Sequence, residues 1–248
     1  MIKLENLITP SPEQWKSIML SMRNPMNSWE KSDSSDGCVN GICGKCGFNI
    51  NWCGCTPRLI IEKNDHSLMM KLRNAGTDHR KFMRMIVVYV DILAPLYWWK
   101  EFDTYRVGVE KNSCSTMHKI HEKEFTLDDF SCEHLFAADD IDSMYYSTTA
   151  EEEFTSSDVL KVVIEALNNY RDLYLKAKDK TYWWQMIQLL PTSYNQKRTV
   201  MLNYEVLANM YKSRKDHKLD EWREFCKWIE TLPYSELITG EKDESENP

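Results

Sequence analysis

The chain has 248 residues, of which 31 are Lys or Arg and 38 are Asp or Glu, leaving a formal net charge of −7 with histidines neutral. That balance excludes a general binder of nucleic-acid polymers or membrane surfaces, whose affinity rests on excess cations, but not a small anionic ligand gripped by a few arginines. The length suffices for one large domain, and no apolar run approaches the roughly 18–20 residues that span a bilayer.

"MIKLENLITPSPEQW" carries no signal-peptide core, so the expectation is a soluble, cytoplasmic protein. Its eight cysteines are then expected as thiols or metal ligands, not disulfides. "SPEQWKSIMLSMRN" predicts a helix: Ser11 can cap it, Pro12 suits its first position, and Trp15, Ile18, Met19 and Met22 share one face. A Cys-rich loop follows at 36–57. Within it Cys43 and Cys46 form a C-x-x-C pair that could supply half of a tetrahedral zinc site. The other half offers Cys53-Gly54-Cys55 instead of a second C-x-x-C, so thiols are expected there and no metal is assigned.

"DHSLMMKLRNAG" reads as a short helix with Asp65 as cap and Gly76 as terminator. "RMIVVYVDI" is a β-branched run and predicts a buried strand. From Pro95 a helix is expected, with no breaker before Gly108. Residues 121–156 read as acidic and irregular, with Asp139, Asp140 and Asp142 in a solvated loop. The remainder reads as helical: "SSDVLKVVIEALNNYRDLYLKAK" repeats apolar residues through Val159, Val163, Leu167, Tyr170 and Tyr174, and "KRTVMLNYEVLANMYKSR" and "LDEWREFCKWIETL" do likewise. A disordered acidic tail is expected at 239–248. The whole is one α+β domain, 1–248, with helices dominating its C-terminal half.

Residues 93–119 concentrate chemistry. Tyr97, Trp98, Trp99, Phe102 and Tyr105 offer ring faces, Arg106 a cation on the buried side, and Asn112, Ser113, Ser115 and Thr116 short donors. That set suits a flavin or a nucleotide; equally, the rings could be core and the hydroxyls a solvated turn. No P-loop, G-x-G-x-x-G or G-x-S-x-G pattern occurs.

The order of these residues resembles the flavin-dependent thymidylate synthases, whose signature R-H-R-x-x-S-x-N-E-x-S-x-R-Y follows a strand and an A-P-led helix. Ala94-Pro95 leads to Thr104-Tyr105-Arg106 at the family's spacing. One inserted residue then aligns Arg106 with the last arginine of R-H-R, Asn112 with the asparagine and Ser115 with the second serine. Leu190-Pro191, Asn203, Asn209 and Arg214 match a second family segment without a gap, and His79 in "AGTDHRKF" lies near the place of G-H-x-[ST].

The resemblance implies an α+β fold with a central antiparallel or mixed sheet, flanking helices and a helical C-terminal half. It implies methylation of dUMP to dTMP with methylene-tetrahydrofolate, FAD and NADPH, in a homotetramer whose active sites are shared between subunits. Arg106, Asn112, Asn203, Asn209 and His79 would then face FAD, and Ser115 and Arg214 a dUMP-like nucleotide. The flavin performs the hard chemistry, so no protein nucleophile is assigned and Cys114 is expected to be a packed thiol.

Several family residues are replaced. Thr104 and Met117 stand where two substrate-gripping arginines belong, Tyr105 replaces the histidine, Ser113 the glutamate, His118 the closing tyrosine, and Glu205 the arginine of N-x-R. Two lost guanidinium contacts, each worth about 1.5–3 kcal/mol, would weaken the same ligand in the same pose by about 3–6 kcal/mol. Glu205 is expected to add repulsion toward phosphate. The alternative is therefore a fold relative that has lost the synthase reaction and binds another nucleotide or acts as an oligomeric scaffold.

Overall fold

Ser11 fixes the first helix as its sequence predicts. After strand β1, Lys3–Ile8, the Ser11 hydroxyl accepts from the Gln14 amide and the Gln14 side chain accepts from the Ser11 amide, opening α1, Pro12–Arg23. Its apolar face buries Trp15, Ile18, Met19 and Met22. The computed structural model describes residues 1–38, 57–137, 144–147, 149 and 152–240. Cys43, Cys46, Cys53 and Cys55, Asp139, Asp140 and Asp142, and the tail beyond Gly240 lie outside them.

Strands β2, Ser35–Cys38, and β3, Pro57–Ile60, pair antiparallel with Ser35 opposite Ile60 and Cys38 opposite Pro57. Helix α2, Lys63–Asn74, then begins three residues earlier than expected. Glu62 holds the cap position, while Asp65, expected as the cap, is buried inside the helix. The Asp33 carboxylate accepts from the Asn64 and Asp65 amides instead, which satisfies the helix start from a distant segment. The run 84–92 expected as a strand supplies most of β4, Val87–Pro95, and α3, Leu96–Phe102, follows with Trp98, Trp99 and Phe102 buried.

Helix α3 stops at Phe102, short of Gly108, and strand β5, Val109–Ser113, takes up Asn112 and Ser113. In the stretch expected to be irregular lie a 3-10 turn at Leu127–Asp129 and an antiparallel pair, β6, Tyr145–Ser147, with β7, Glu152–Phe154. Helices α4, Ser156–Ala177, and α5, Lys180–Leu189, follow. The larger correction falls next. Residues read as the start of a helix form strand β8, Asn195–Asn203, and only then does α6, Tyr204–Arg214, begin. Helices α7, Asp220–Glu230, and α8, Glu236–Thr239, complete the described chain.

The fold is α+β. Four strands make a sheet in the order β1-β4-β8-β5, with helices concentrated after residue 155. Cα packing divides the chain into two compact units, one of 1–3, 92–104 and 112–199, the other of 4–91, 105–111 and 200–248. The first has its core in Ile120, Phe125, Phe130, Leu160, Leu167 and Met186, against which Val163, Tyr170 and Tyr174 pack as their spacing predicts. Val159, placed on the same face by its spacing, is exposed. The second centres on Trp15, Tyr204, Leu207, Met210, Trp222 and Phe225. No helix among the described residues is long and apolar enough to cross a membrane.

Candidate functional site

The second unit gathers Arg214, Tyr105 and Trp222. Arg214 ends α6 and donates Nε–H to the Tyr105 hydroxyl at 3.1 Å. Its guanidinium carbon lies 4.8 Å from the centre of the Trp222 ring and 5.7 Å from that of Tyr105. Stacking of this kind flattens and orients the fork while leaving it charged. Trp222 is fully buried on α7, so one wall of the arrangement is rigid. Sequence spacing gave no signal for this partner; α7 reads only as an amphipathic helix.

At the other end of α6, Asn203 proves to be its cap and not a residue within a helix. Its carboxamide oxygen accepts from the Val206 amide at 2.9 Å. Its amide nitrogen lies beside Gly108, where a Cβ would come within 2.2 Å of it, and Gly108 has a φ of +76°. Only glycine fits that approach. The Gly108 carbonyl also accepts from the Asn203 amide at 3.3 Å, which sets the 105–108 turn against the start of α6.

Glu205 does not stand as an open negative charge. Arg84 donates to its carboxylate through Nε and, at 3.2 Å, through Nη2, and this pair holds the Arg84 guanidinium above its ordinary pKa. The repulsion expected from Glu205 is thereby offset. Arg84 was not among the residues singled out from sequence, because nothing local links positions 84 and 205.

Arg106 is exposed, not on the buried side; His79 and Asn209 are exposed as well. In the first unit Asn112 lies exposed on β5, and exposed Ser115 accepts from the His118 amide at 2.9 Å. The structure thus brings Arg214 and Asn203 into defined clusters of the second unit and leaves Arg106, His79, Asn209, Asn112 and Ser115 at the surface of a single chain. Among the described residues no three His, Cys, Asp or Glu side chains converge for a metal.

A cleft of about 480 Å³ in the second unit is lined by Ile8, Glu13, Ile18, Met85, Tyr89 and Met201, among others, and by none of the seven site residues. Glu13 is the one charged group in that lining. Hydrogen bonds from its own backbone and from Ser11 hold it below the usual carboxylate range, so it stays ionised and would repel a phosphate. The cleft does not suit an anionic nucleotide. The donors present do fit a flavin in type: a stacked guanidinium, a second exposed one at Arg106, and carboxamides.

With the geometry in place, the fold can be compared. Two crystal structures of the flavin-dependent thymidylate synthase ThyX from Helicobacter pylori, each with FAD and dUMP, have the same overall fold. One matches with a TM-score of 0.58 and 16% identity over 96% of this chain and 98% of that chain. The other gives 0.59 and 16% over 96% and 97%. No family model matches the sequence, and no curated protein matches it either.

Proposed function

We propose that this protein is a divergent flavin-dependent thymidylate synthase-like enzyme that binds FAD and dUMP and converts dUMP to dTMP with methylene-tetrahydrofolate and NADPH. The observation that carries the reading is the likeness of fold over 96% of the chain to a protein crystallised with both ligands. When bound, the flavin supplies the hydride; the protein supplies orientation and charge.

In this reading Arg214, oriented by Tyr105 and Trp222, meets the nucleotide phosphate together with Ser115. Arg106, Asn112, Asn209 and His79 address the flavin. Asn203 commits its oxygen to α6, so any bond it makes to the flavin comes from the amide nitrogen beside Gly108. Because five of these groups are exposed on one chain, the site is completed by neighbouring copies in a homotetramer.

Titration of the purified protein with FAD tests the reading. Saturable binding with a perturbed flavin absorption band is expected, followed by a further spectral change on adding dUMP. A protein that leaves the FAD spectrum untouched overturns it. Arg214→Lys keeps a positive charge but loses the planar, stacked fork, and should weaken dUMP about tenfold or more. Unchanged dUMP affinity would remove Arg214 from the site.

A further inference from the structure

Asp103 and Cys114, which flank residues 104–113, are both tied within the first unit to one guanidinium, Asp103 directly and Cys114 through Gln196. Arg198 lies on β8 with its guanidinium carbon 4.2 Å from the centre of the Trp99 ring. Its Nη1 donates to the two carboxylate oxygens of Asp103 at 2.9 and 3.2 Å, and its Nε donates to the Gln196 side-chain oxygen at 2.9 Å. Gln196 is buried and passes the tie onward: its Nε2 donates to the Cys114 carbonyl at 2.9 Å. The Gln196 carbonyl accepts from Trp99 Nε1 at 3.0 Å, and the Cys114 amide donates to the Lys197 carbonyl at 2.9 Å.

Asp103 immediately precedes the segment and Cys114 immediately follows it. The Arg198 side chain is only 14% exposed, and its plane is fixed by Trp99. A lone pair with an acid as open as Asp103, 43% exposed, would contribute little. A stacked guanidinium sharing hydrogen bonds between an acid and a buried amide is a different object, since its geometry is fixed before either bond forms. Lysine offers no such fork.

We propose that Arg198 is a positioning residue of the first unit, which through Asp103 and Gln196–Cys114 fixes the two points where the 104–113 segment joins that unit, so that Asn112 is held ready for ligand. The inference rests on the role given to Asn112 under the proposed function. It does not assign Arg198 any contact with ligand.

The test uses the full chain and the variants Arg198→Met, Asp103→Asn and their combination. Three readings are taken: amide hydrogen exchange over 104–113, FAD affinity of the folded protein, and Tm. Exchange over 104–113 is expected to speed up about tenfold or more while α7 stays protected. FAD should bind about tenfold more weakly in each variant, since small displacements of positioning groups are costly, and the combination should be no worse than the poorer single. Where Arg198→Met does not fold, Asp103→Asn, at a half-exposed position, decides alone. A lower Tm with unchanged FAD affinity would mark a purely structural pair and overturn the proposal. If the unaltered protein ignores FAD, the proposed function fails separately. Exchange over 104–113 then decides for or against the tie itself.

Discussion

Asp65 has no solvent exposure, yet it is surrounded so completely by donors that it remains charged. Arg23 Nε–H reaches one oxygen at 2.6 Å; the Ser32 and Ser34 hydroxyls reach the other at 2.7 and 2.5 Å, joined by the Ser34 amide at 3.1 Å. Burial pushes its pKa up, but the hydrogen bonds from Ser34, Ser32 and Arg23 together bring it below the usual carboxylate range. Arg23 is itself 3% exposed, so Asp65→Ala would strand a buried cation and should cost about 3–5 kcal/mol, read as a shift in the urea unfolding midpoint. Adding Arg23→Met to Asp65→Ala should recover part of that loss, because the stranded charge goes with it. The sign with pH follows from a depressed folded-state pKa: the carboxylate's contribution is complete above its unfolded value, about 4, and is lost as pH falls through the folded value. Asp65→Asn should therefore flatten the acid limb of the stability curve, and an unchanged limb would rule this carboxylate out as its source. None of this was legible in "DHSLMMKLRNAG", where Asp65 looks like a helix cap. Its true partners lie 31 to 42 residues earlier in the chain, and local sequence carries no mark of them.

Helix starts explain both what could and what could not be read at the scale of an element. α1 was readable because Ser11, Pro12 and Gln14 hold every term of its start within four residues. α4 opens the same way: Thr155 and Asp158 exchange side-chain-to-backbone bonds in a capping box. Thr155→Ala should cost about 1 kcal/mol, measurable by thermal unfolding, with the loss of helicity beginning at the α4 end. Asp158 is held down to a pKa of about 2, first by the Thr155 hydroxyl and then by the Thr155 amide and Lys161. Its cap is thus complete above about pH 4 and fades toward pH 2, and circular dichroism across that window should show α4 loosening in the unaltered protein but no such pH-dependent step in Asp158→Asn. The β8–α6 junction was misread for the opposite reason. "TVMLNYEVLANM" keeps apolar residues coming at a rate that suits a helix, and the alternation that buries Gln196, Val200 and Leu202 is broken by the charged Arg198, which stands on the same face without being fully buried. Asn203 ends the strand and caps the helix at once, so the one residue that marks the boundary was taken as interior. Asn203 stands out in the sequence while the element that carries it does not.

At the scale of the molecule, burial pattern and site chemistry have come apart. A likeness of fold over nearly the whole chain at 16% identity means that the arrangement of elements is shared while most individual side chains are not. That is why an α+β fold with a helical C-terminal half could be read from the sequence. The degree to which the site survives could not, because Thr104, Met117 and Glu205 change charge without changing the fold. The structure adds contacts at a distance, Arg84 pairing with Glu205 and Trp222 stacking on Arg214, that no motif records. It also leaves His79, Arg106, Asn112, Ser115 and Asn209 exposed on one chain, so a ligand enclosed by them needs further walls. If those walls come from other copies, assembly and ligand binding are thermodynamically linked. FAD affinity should then fall on dilution through the dissociation range seen by analytical ultracentrifugation, and FAD should in turn shift that range to lower protein concentration. Tm should likewise rise with protein concentration. An FAD affinity that is the same above and below dissociation would mean that each chain builds its site alone, and the shared-site arrangement would have to be abandoned.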